Sequence, residues 1–486
     1  MAIVAPVSIN DVSTDVSPLP GNIFRAYDIR GIAGTELSSS NIELIGRAIG
    51  TIALHYDQPT LLFGADGRLS SPELAAALKR GILSTGCNLV DLGIIPTPLL
   101  YFATHTTQWS SGLILTASHN PAEYNGIKMV NQRTCLTPEQ IQMLRSMIDK
   151  RQFARGKGSL TTLDIMPASL ARISSDIQLQ RPLKVVVDCG NAVPALVAPQ
   201  LFAALKCEVV PLYCEVDGRF PNHHPDPTVH NNLQALISSV QEQQADLGIA
   251  LDGDGDRVVL VTNSGNVIDT DRLLMLFIRA IVPLYHHPNA HHPNAHHPNR
   301  RHPNVVFDVK CSNLLSALIE ENGGVPVMSR SGHSFMKQTM QDTDAVVGAE
   351  FSAHVFIKDR WFGYDDGMYA AARFLEILAA GPLSAEQLLQ SLPTSVVTPE
   401  LRIDVSDEEK FTLMALIAEH VDFPQARINT LDGVRADFSH GWGLIRASNT
   451  TPALLLRFEA DNEETLQQIQ QMFRDLLSRV DNSLTF

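Results

Sequence analysis

Short apolar runs alternate with longer stretches whose apolar residues recur at helical spacing, and this alternation covers most of the chain. Leu61 to Phe63, Leu89 to Ile95 and Gly112 to Leu115 read as strands, with a helix from Pro72 to Thr85. The cycle restarts at Lys184 to Asp188, with a helix near Ala195 to Leu205 and strands at Glu208 to Leu212 and Leu247 to Leu251. It restarts again at Val305 to Val309, followed by a helix from Asn313 to Glu321 and a strand at Ala345 to Gly348. Apolar strands separated by helices predict α/β units with largely covered sheets. Three cycles predict three similar α/β domains, although no sequence repeat links them. The end of the chain differs. Thr398 to Asp404, Ala426 to Leu431, Gly443 to Ala447 and Leu454 to Glu459 read as antiparallel strands, flanked by helices at Asp407 to Glu419 and Glu463 to Leu477. This predicts a separate C-terminal α+β domain.

The chain has 486 residues, too many for one core, and its 44% hydrophobic and 18% charged composition is that of a globular protein. With a net charge of -15 and no basic cluster, nucleic acid is not an expected partner. Cys87, Cys135, Cys189, Cys207, Cys214 and Cys311 are scattered without a CxxC pair, which reads as reduced thiols in a cytoplasmic protein. Met1 to Asn22 lacks the pattern of a signal peptide, and no apolar run reaches membrane-spanning length, so no membrane association is expected. One segment is repetitive: HHPNA, over residues 286–303, between a helix at Arg272 to Val282 and a strand. Its regular prolines forbid a continuous helix. It holds seven of the 17 histidines, so transition-metal binding is one reading, and a tandem repeat tolerated in an exposed loop is the favoured one.

Two loops carry candidate chemistry. Thr116-Ala117-Ser118-His119-Asn120-Pro121 follows an apolar run and leads to Gly126 and Lys128. Ser118 offers a hydroxyl that, once phosphorylated, becomes a phosphoryl donor. Asp252-Gly253-Asp254-Gly255-Asp256-Arg257 follows another apolar run. Alternation in an extended loop would point Asp252, Asp254 and Asp256 the same way, with glycine letting the backbone fold around an ion. Hard oxygen ligands suit Mg²⁺ shared with a phosphate, and three bare carboxylates this close repel without a cation. Together the loops suggest phosphoryl transfer through a phosphoserine.

Other clusters suit a phosphorylated ligand, each with a plainer alternative. Arg446-Ala447-Ser448-Asn449-Thr450-Thr451-Pro452 is a phosphate cradle or a hairpin loop. Phe24 to Gly31 places Tyr27 near Arg30, or merely forms an Arg–Asp pair. Gly348 to His354 puts Glu350, Ser352 and His354 on one side of an extended segment, as sugar-hydroxyl readers or as an edge strand with polar residues outward.

Taken in order, FRAYDIRG, TASHNP, DGDGDR, GHSFMK (Gly332 to Lys337), GAEFSAH and RASNTTP resemble the α-D-phosphohexomutase superfamily, and most closely its bacterial phosphomannomutase/phosphoglucomutase group. The resemblance runs from about Gly21 to the end. It implies α/β architecture: three similar α/β domains with mixed sheets at residues 19–162, 163–268 and 269–392. A mobile C-terminal α+β domain at 393–486 completes the walls of a central active-site cleft. It implies Ser118 as the phosphoserine, and Asp252, Asp254 and Asp256, with Ser118, as ligands of one Mg²⁺. Glu350 and Ser352 would read sugar hydroxyls, and Arg446, Ser448, Asn449 and Thr450 would hold the unreactive phosphate. Tyr27, Arg30, Lys128, Arg257, Lys310, His333 and His354 would line the cleft. Lys128 and His333 are the proton-transfer candidates, with Arg30 as electrostatic support. The implied reaction interconverts hexose 1- and 6-phosphates through a hexose 1,6-bisphosphate, in a monomer whose partners are small phosphosugars. Nucleotide-sugar and polysaccharide precursor supply is the implied pathway. A phosphoglucosamine mutase, a serine-dependent sugar phosphatase and a metal-binding protein built on the histidine tract are the alternatives. The usual GExSGH pattern departs at Ala349 and Ala353, which is expected to bear on sugar preference. Ala192-Val193-Pro194, after Asp188-Cys189-Gly190-Asn191, replaces small residues near a domain joint.

Overall fold

The computed structural model describes residues 19–25, 28–286, 302–448 and 451–486. Tyr27, Asn449, Thr450 and residues 287–301 of the histidine-rich insertion therefore lie outside the described residues.

Four sheets follow in chain order, and the first three repeat one plan. In the first, Thr60–Ala65 lies between parallel neighbours Asn88–Ile94 and Gly112–Leu115, and Tyr124–Asn131 returns antiparallel to Gly112–Leu115. In the second, Lys184–Asp188 lies between Glu208–Leu212 and Leu247–Leu251, with Val258–Thr262 returning. In the third, Asn304–Asp308 lies between Val325–Ser329 and Val347–Glu350, with His354–Ile357 returning. The three candidate loops at Ser118, Asp252 and Glu350 thus occupy the same place in each unit. Each follows the third parallel strand of its unit, at the strand ends where ligands of open α/β sheets bind. Each is also short, because it leads directly into an antiparallel return strand.

The fourth sheet is antiparallel. The strand expected over Thr398 to Asp404 is two pieces, Val396–Val397 and Leu401–Asp404, because Pro399 removes a ladder donor between them. Val434–Phe438, not expected as a strand, fills the middle of this sheet. The helix expected near Ala195 to Leu205 is a 3₁₀ turn at Val193–Leu196 followed by Ala198–Ala204, with a proline opening each piece.

The first three units share a core. Phe102, Phe202, Phe277 and Trp361 belong to one continuous apolar cluster, in which Phe102 stacks on Trp361. The C-terminal unit has its own, around Ile417, Phe458 and Phe473. It docks on the third unit through Arg435, whose guanidinium donates to the Val309 and Cys311 carbonyls at 2.6 and 3.0 Å and lies over the Trp442 ring. Among the described residues, no helix is long and apolar enough to cross a membrane.

Candidate active site

Ser118 sits at the mouth of the first unit with φ +50°, a conformation that costs about 1–2 kcal/mol in a non-glycine residue. Arg68 holds the turn in place. All five of its N–H donors are used: Nε on Asp66 (3.1 Å), and the two Nη groups on the carbonyls of Ser118, Asn120, Pro121 and Tyr124 at 2.6 to 3.1 Å. Arg30 adds a second brace, donating to Asn120 Oδ1 and to Asp28, both at 2.5 Å. Here the Arg–Asp pair and a role in the loop are the same contact.

The aspartate loop is a tight turn rather than the extended segment expected. Its carboxylates converge because the chain folds back at Gly255, φ +79°. Asp252 Oδ1 accepts from the Gly255 and Arg257 amides, which frees Oδ2 to accept from Ser118 Oγ at 2.6 Å. Gly253 lets the two loops touch: a Cβ there would fall 2.2 Å from the Ser118 carbonyl oxygen. Asp254 Oδ2 accepts from Thr97 Oγ1 (2.6 Å), and Lys128 Nζ donates to Asp254 and Asp256 at 2.6 and 2.5 Å.

All three carboxylates are completely buried, and their oxygens lie within 4.8 Å of one another. One ammonium against three carboxylates leaves the cluster with excess negative charge. Asp254 Oδ1 and Asp256 Oδ1 have no hydrogen-bond partner among the described residues, an arrangement that is expensive unless a cation binds them. A set of hard oxygens with two uncommitted atoms fits a divalent cation. Burial, and then the charges of Asp254 and Asp256, push the Asp252 carboxyl well above its usual range. Burial would lower Lys128, but Asp254 and Asp256 outweigh it and hold the amine well above its ordinary value.

The third unit faces this cluster. Glu350, Ser352 and His354 do not share one extended face. Residues 351–353 form a hairpin turn with Ala353 at φ +75°, and Glu350 is the cross-strand partner of His354. Glu350 Oε2 is buried without a hydrogen-bond partner among the described residues, while Ser352 is half-buried at the turn. Ala349 and Ala353 turn their methyl groups into apolar clusters, so the departures at these positions concern packing beneath the turn. Arg257 Nε donates to His354 Nε2 at 3.0 Å, which places the ring proton on Nδ1, 3.1 Å from Asp365 Oδ2. Asp365 also faces His333 at 3.6 Å and accepts from Lys337 at 2.9 Å. Burial, reinforced by Lys337, holds His333 well below its ordinary value, so its imidazole is neutral. His119, 3.3 Å from Ser118 Oγ, is depressed by burial and Arg257 in the same way.

Lys310 follows Asn304–Asp308, the strand between the third unit's two parallel neighbours, as Arg68 follows Thr60–Ala65 in the first; its Nζ is 3.9 Å from Asp308, which also accepts from the Phe351 amide at 3.1 Å. From the C-terminal unit, Arg446 reaches Asp432 at 3.1 Å, and Asp432 accepts from the Ser331 amide at 2.9 Å, two residues before His333. Ser448 is buried and accepts from the Thr451 amide at 3.1 Å. The structure thus joins Ser118, the aspartates, Arg30, Lys128, Arg257, His354 and His333 through direct or one-residue links, with Glu350, Lys310 and Arg446 along one wall. Arg68, Thr97, Asp365 and Asp432 are additions that sequence reading missed. Only Asp365, in the acidic run Tyr364-Asp365-Asp366-Gly367, left a visible signal.

Comparison with known proteins agrees with this geometry. Four family profiles match in order: phosphoglucomutase/phosphomannomutase alpha/beta/alpha domain I at residues 21–155, domain II at 168–265, domain III at 269–396 and the C-terminal domain at 400–476. A Pseudomonas aeruginosa phosphomannomutase/phosphoglucomutase is 49% identical over 474 residues, 97% of this chain and 99% of that one. A Neisseria gonorrhoeae phosphoglucomutase is 43% identical over 94% of this chain and 96% of its own length. The crystal structure of a Burkholderia thailandensis phosphoglucomutase/phosphomannomutase family protein superposes with a TM-score of 0.89 at 40% identity, covering 96% of this chain and 99% of that one.

Proposed function

The chain belongs to the phosphoglucomutase/phosphomannomutase family, and on that premise we propose that it is a phosphomannomutase/phosphoglucomutase, a mutase that reversibly interconverts hexose 1-phosphates and 6-phosphates. The observation that carries the reading is the 2.6 Å contact between Ser118 Oγ and Asp252 across the joint of the first two units. It sets a hydroxyl against a divalent-cation site, in reach of cationic side chains. Phosphorylated Ser118 donates its phosphoryl group to the free hydroxyl of a bound hexose phosphate. The P–Oγ bond breaks as the new P–O bond forms, and the hydroxyl proton passes to a neutral base, for which the His333 imidazole is suited. The bisphosphorylated sugar turns over, and its other phosphate returns to Ser118 Oγ. Asp252, Asp254 and Asp256, with the Ser118 phosphoryl group, would hold one Mg²⁺, which would supply positive charge against the phosphoryl oxygens. Arg446 and Ser448, with Asn449 and Thr450, hold the phosphate that is not reacting, and Glu350 and Ser352 read the sugar hydroxyls from the hairpin turn.

Phosphorus NMR on the purified protein with Mg²⁺, a trace of hexose 1,6-bisphosphate, and glucose, mannose or glucosamine 1-phosphate in separate tubes tests the reading. Conversion of the glucose and mannose compounds to 6-phosphates without inorganic phosphate is expected. Fastest turnover of the glucosamine compound would make the protein a phosphoglucosamine mutase, and inorganic phosphate as the main product would make it a phosphatase.

Arg68 supports this chemistry only by shaping the Ser118 turn, which gives a further prediction. Arg68→Lys keeps the charge but loses most of the fork, and is expected to lower kcat by about 10- to 100-fold with little change in KM. Steady-state assay together with a thermal melt checks this: a kcat loss in a fully folded variant is required.

A further inference from the structure

Two of the six cysteines meet behind the Ser118–Asp252 contact. Cys189 follows strand Lys184–Asp188, Cys214 follows its parallel neighbour Glu208–Leu212, and their Sγ atoms lie 3.3 Å apart. They meet because Gly190, Asn191 and Tyr213 all adopt positive φ, +50° to +57°, folding both strand exits toward each other. Cys189 is fully buried and Cys214 half-buried.

The pair lies under the segment that seats the aspartate turn on Ser118. Asn191 bonds to the Tyr213 and Glu215 carbonyls at 2.8 and 2.9 Å, and Asn222 donates to Asn191 at 2.7 Å. His223 reaches Asp188 at 3.0 Å. Two residues on, the Pro225 carbonyl accepts from the Gly253 amide at 3.1 Å, and Gly253 abuts the Ser118 carbonyl.

We propose that Cys189 and Cys214 form a reversible disulfide when a hydroperoxide reaches them, and that this bridge slows the mutase by displacing the Gly253 turn against Ser118. The second half rests on the mutase reading; the first does not. The thiols have complementary roles. The Cys214 thiol donates to Cys189 Sγ and to the Val187 and Leu212 carbonyls at 3.3 to 3.4 Å; the contact between the sulfurs lowers Cys214 below the ordinary thiol value, and that contact together with burial pushes Cys189 well above it. The half-buried Cys214 thiolate attacks a peroxide oxygen, the O–O bond breaks, and the leaving oxygen takes a proton, giving a sulfenic acid and water or an alcohol. Cys189 sulfur then attacks Cys214 sulfur, the S–O bond breaks, and the departing hydroxide takes the Cys189 proton as water. The thiols lose two electrons and the peroxide gains them. A small dithiol reverses the bridge by exchange. Bonding brings the sulfurs roughly 1.3 Å closer, comparable to the displacement of about 1 Å that costs an active site much of its rate.

The test treats the full-length reduced protein with hydrogen peroxide, alkylates remaining thiols, and maps peptides by mass spectrometry alongside the mutase assay. A peptide pair joined through Cys189 and Cys214 is expected, with turnover about tenfold lower and restored by dithiothreitol. Cys214→Ser should keep its turnover under peroxide; Cys189→Ala repeats the test should the serine variant fold poorly. Absence of the joined pair, or equal inactivation of both folded variants, overturns the proposal. A joined pair with unchanged turnover overturns its regulatory half. A reduced protein without mutase activity contradicts the functional reading and leaves the peptide result standing.

Discussion

Ser118→Ala is expected to lower turnover by at least about 10⁴-fold, the scale seen when a nucleophile is removed, while leaving hexose-phosphate binding within about threefold. The expectation follows from how the turn is built. Arg68 grips main-chain carbonyls, including that of Ser118 itself, so the loop does not depend on the hydroxyl. Alanine accepts the same φ of +50° about as well as serine, and the Gly253 contact involves the Ser118 carbonyl. The substitution removes the phosphoryl carrier and its contacts with Asp252 and His119, and leaves the main-chain frame of the turn in place. Titration calorimetry with a hexose 6-phosphate, beside the turnover assay, checks both halves. Retained turnover would move the carrier elsewhere; loss of binding would show that the turn had collapsed.

Asp252→Asn is expected to lower turnover by about 10³-fold in saturating Mg²⁺, and chelation of the wild type should do the same reversibly. Its stability effect has the opposite sign from the usual loss of a buried carboxylate. The folded-state value of Asp252 is raised by burial and its neighbours. The folded metal-free protein therefore holds a proton that the unfolded chain releases above the usual carboxylate range, and stability is lost as pH rises from there through the folded value. Asparagine lacks this loss, and its carbonyl still accepts from the Gly255 and Arg257 amides. In chelator at neutral pH the variant should melt at or above the wild type, with the advantage shrinking at acid pH. With Mg²⁺ the order should reverse, because only the wild type gains fully from the cation. Thermal melts at two pH values, with and without Mg²⁺, test this; a variant less stable in chelator at neutral pH would contradict the electrostatic account.

The sequence disclosed what is contiguous. Ser118 and the three aspartates could be read because each loop follows an apolar strand and carries its chemistry within a few residues. The α/β cycles were legible for the same reason. Contacts between distant segments were not. Arg68 matters through carbonyls some 50 residues away, and Thr97 through Asp254, 157 residues away; neither sits in a telling local pattern. Lys310 was found and Arg68 missed, although each follows the strand that lies between its unit's two parallel neighbours, because three-dimensional equivalence without sequence repetition leaves no trace. Strand Val434–Phe438 was missed although Val434, Ala436 and Phe438 alternate with Arg435 and Asp437 at strand period. Arg435 is buried there because the third unit supplies two carbonyls, Asp437 a carboxylate at 2.8 Å and Trp442 a ring. The hairpin at Glu350 escaped because Ala353 holds a positive φ that a glycine would have advertised.

The central claim is that the phosphoryl group passes through Ser118. Protein carrying radiolabelled phosphate on Ser118, mixed with unlabelled glucose 1-phosphate and quenched within one turnover, tests it most directly. The account predicts that label leaves the protein and appears first in glucose 1,6-bisphosphate. Label released as inorganic phosphate, or glucose 6-phosphate formed while the label stays on the protein, would contradict it.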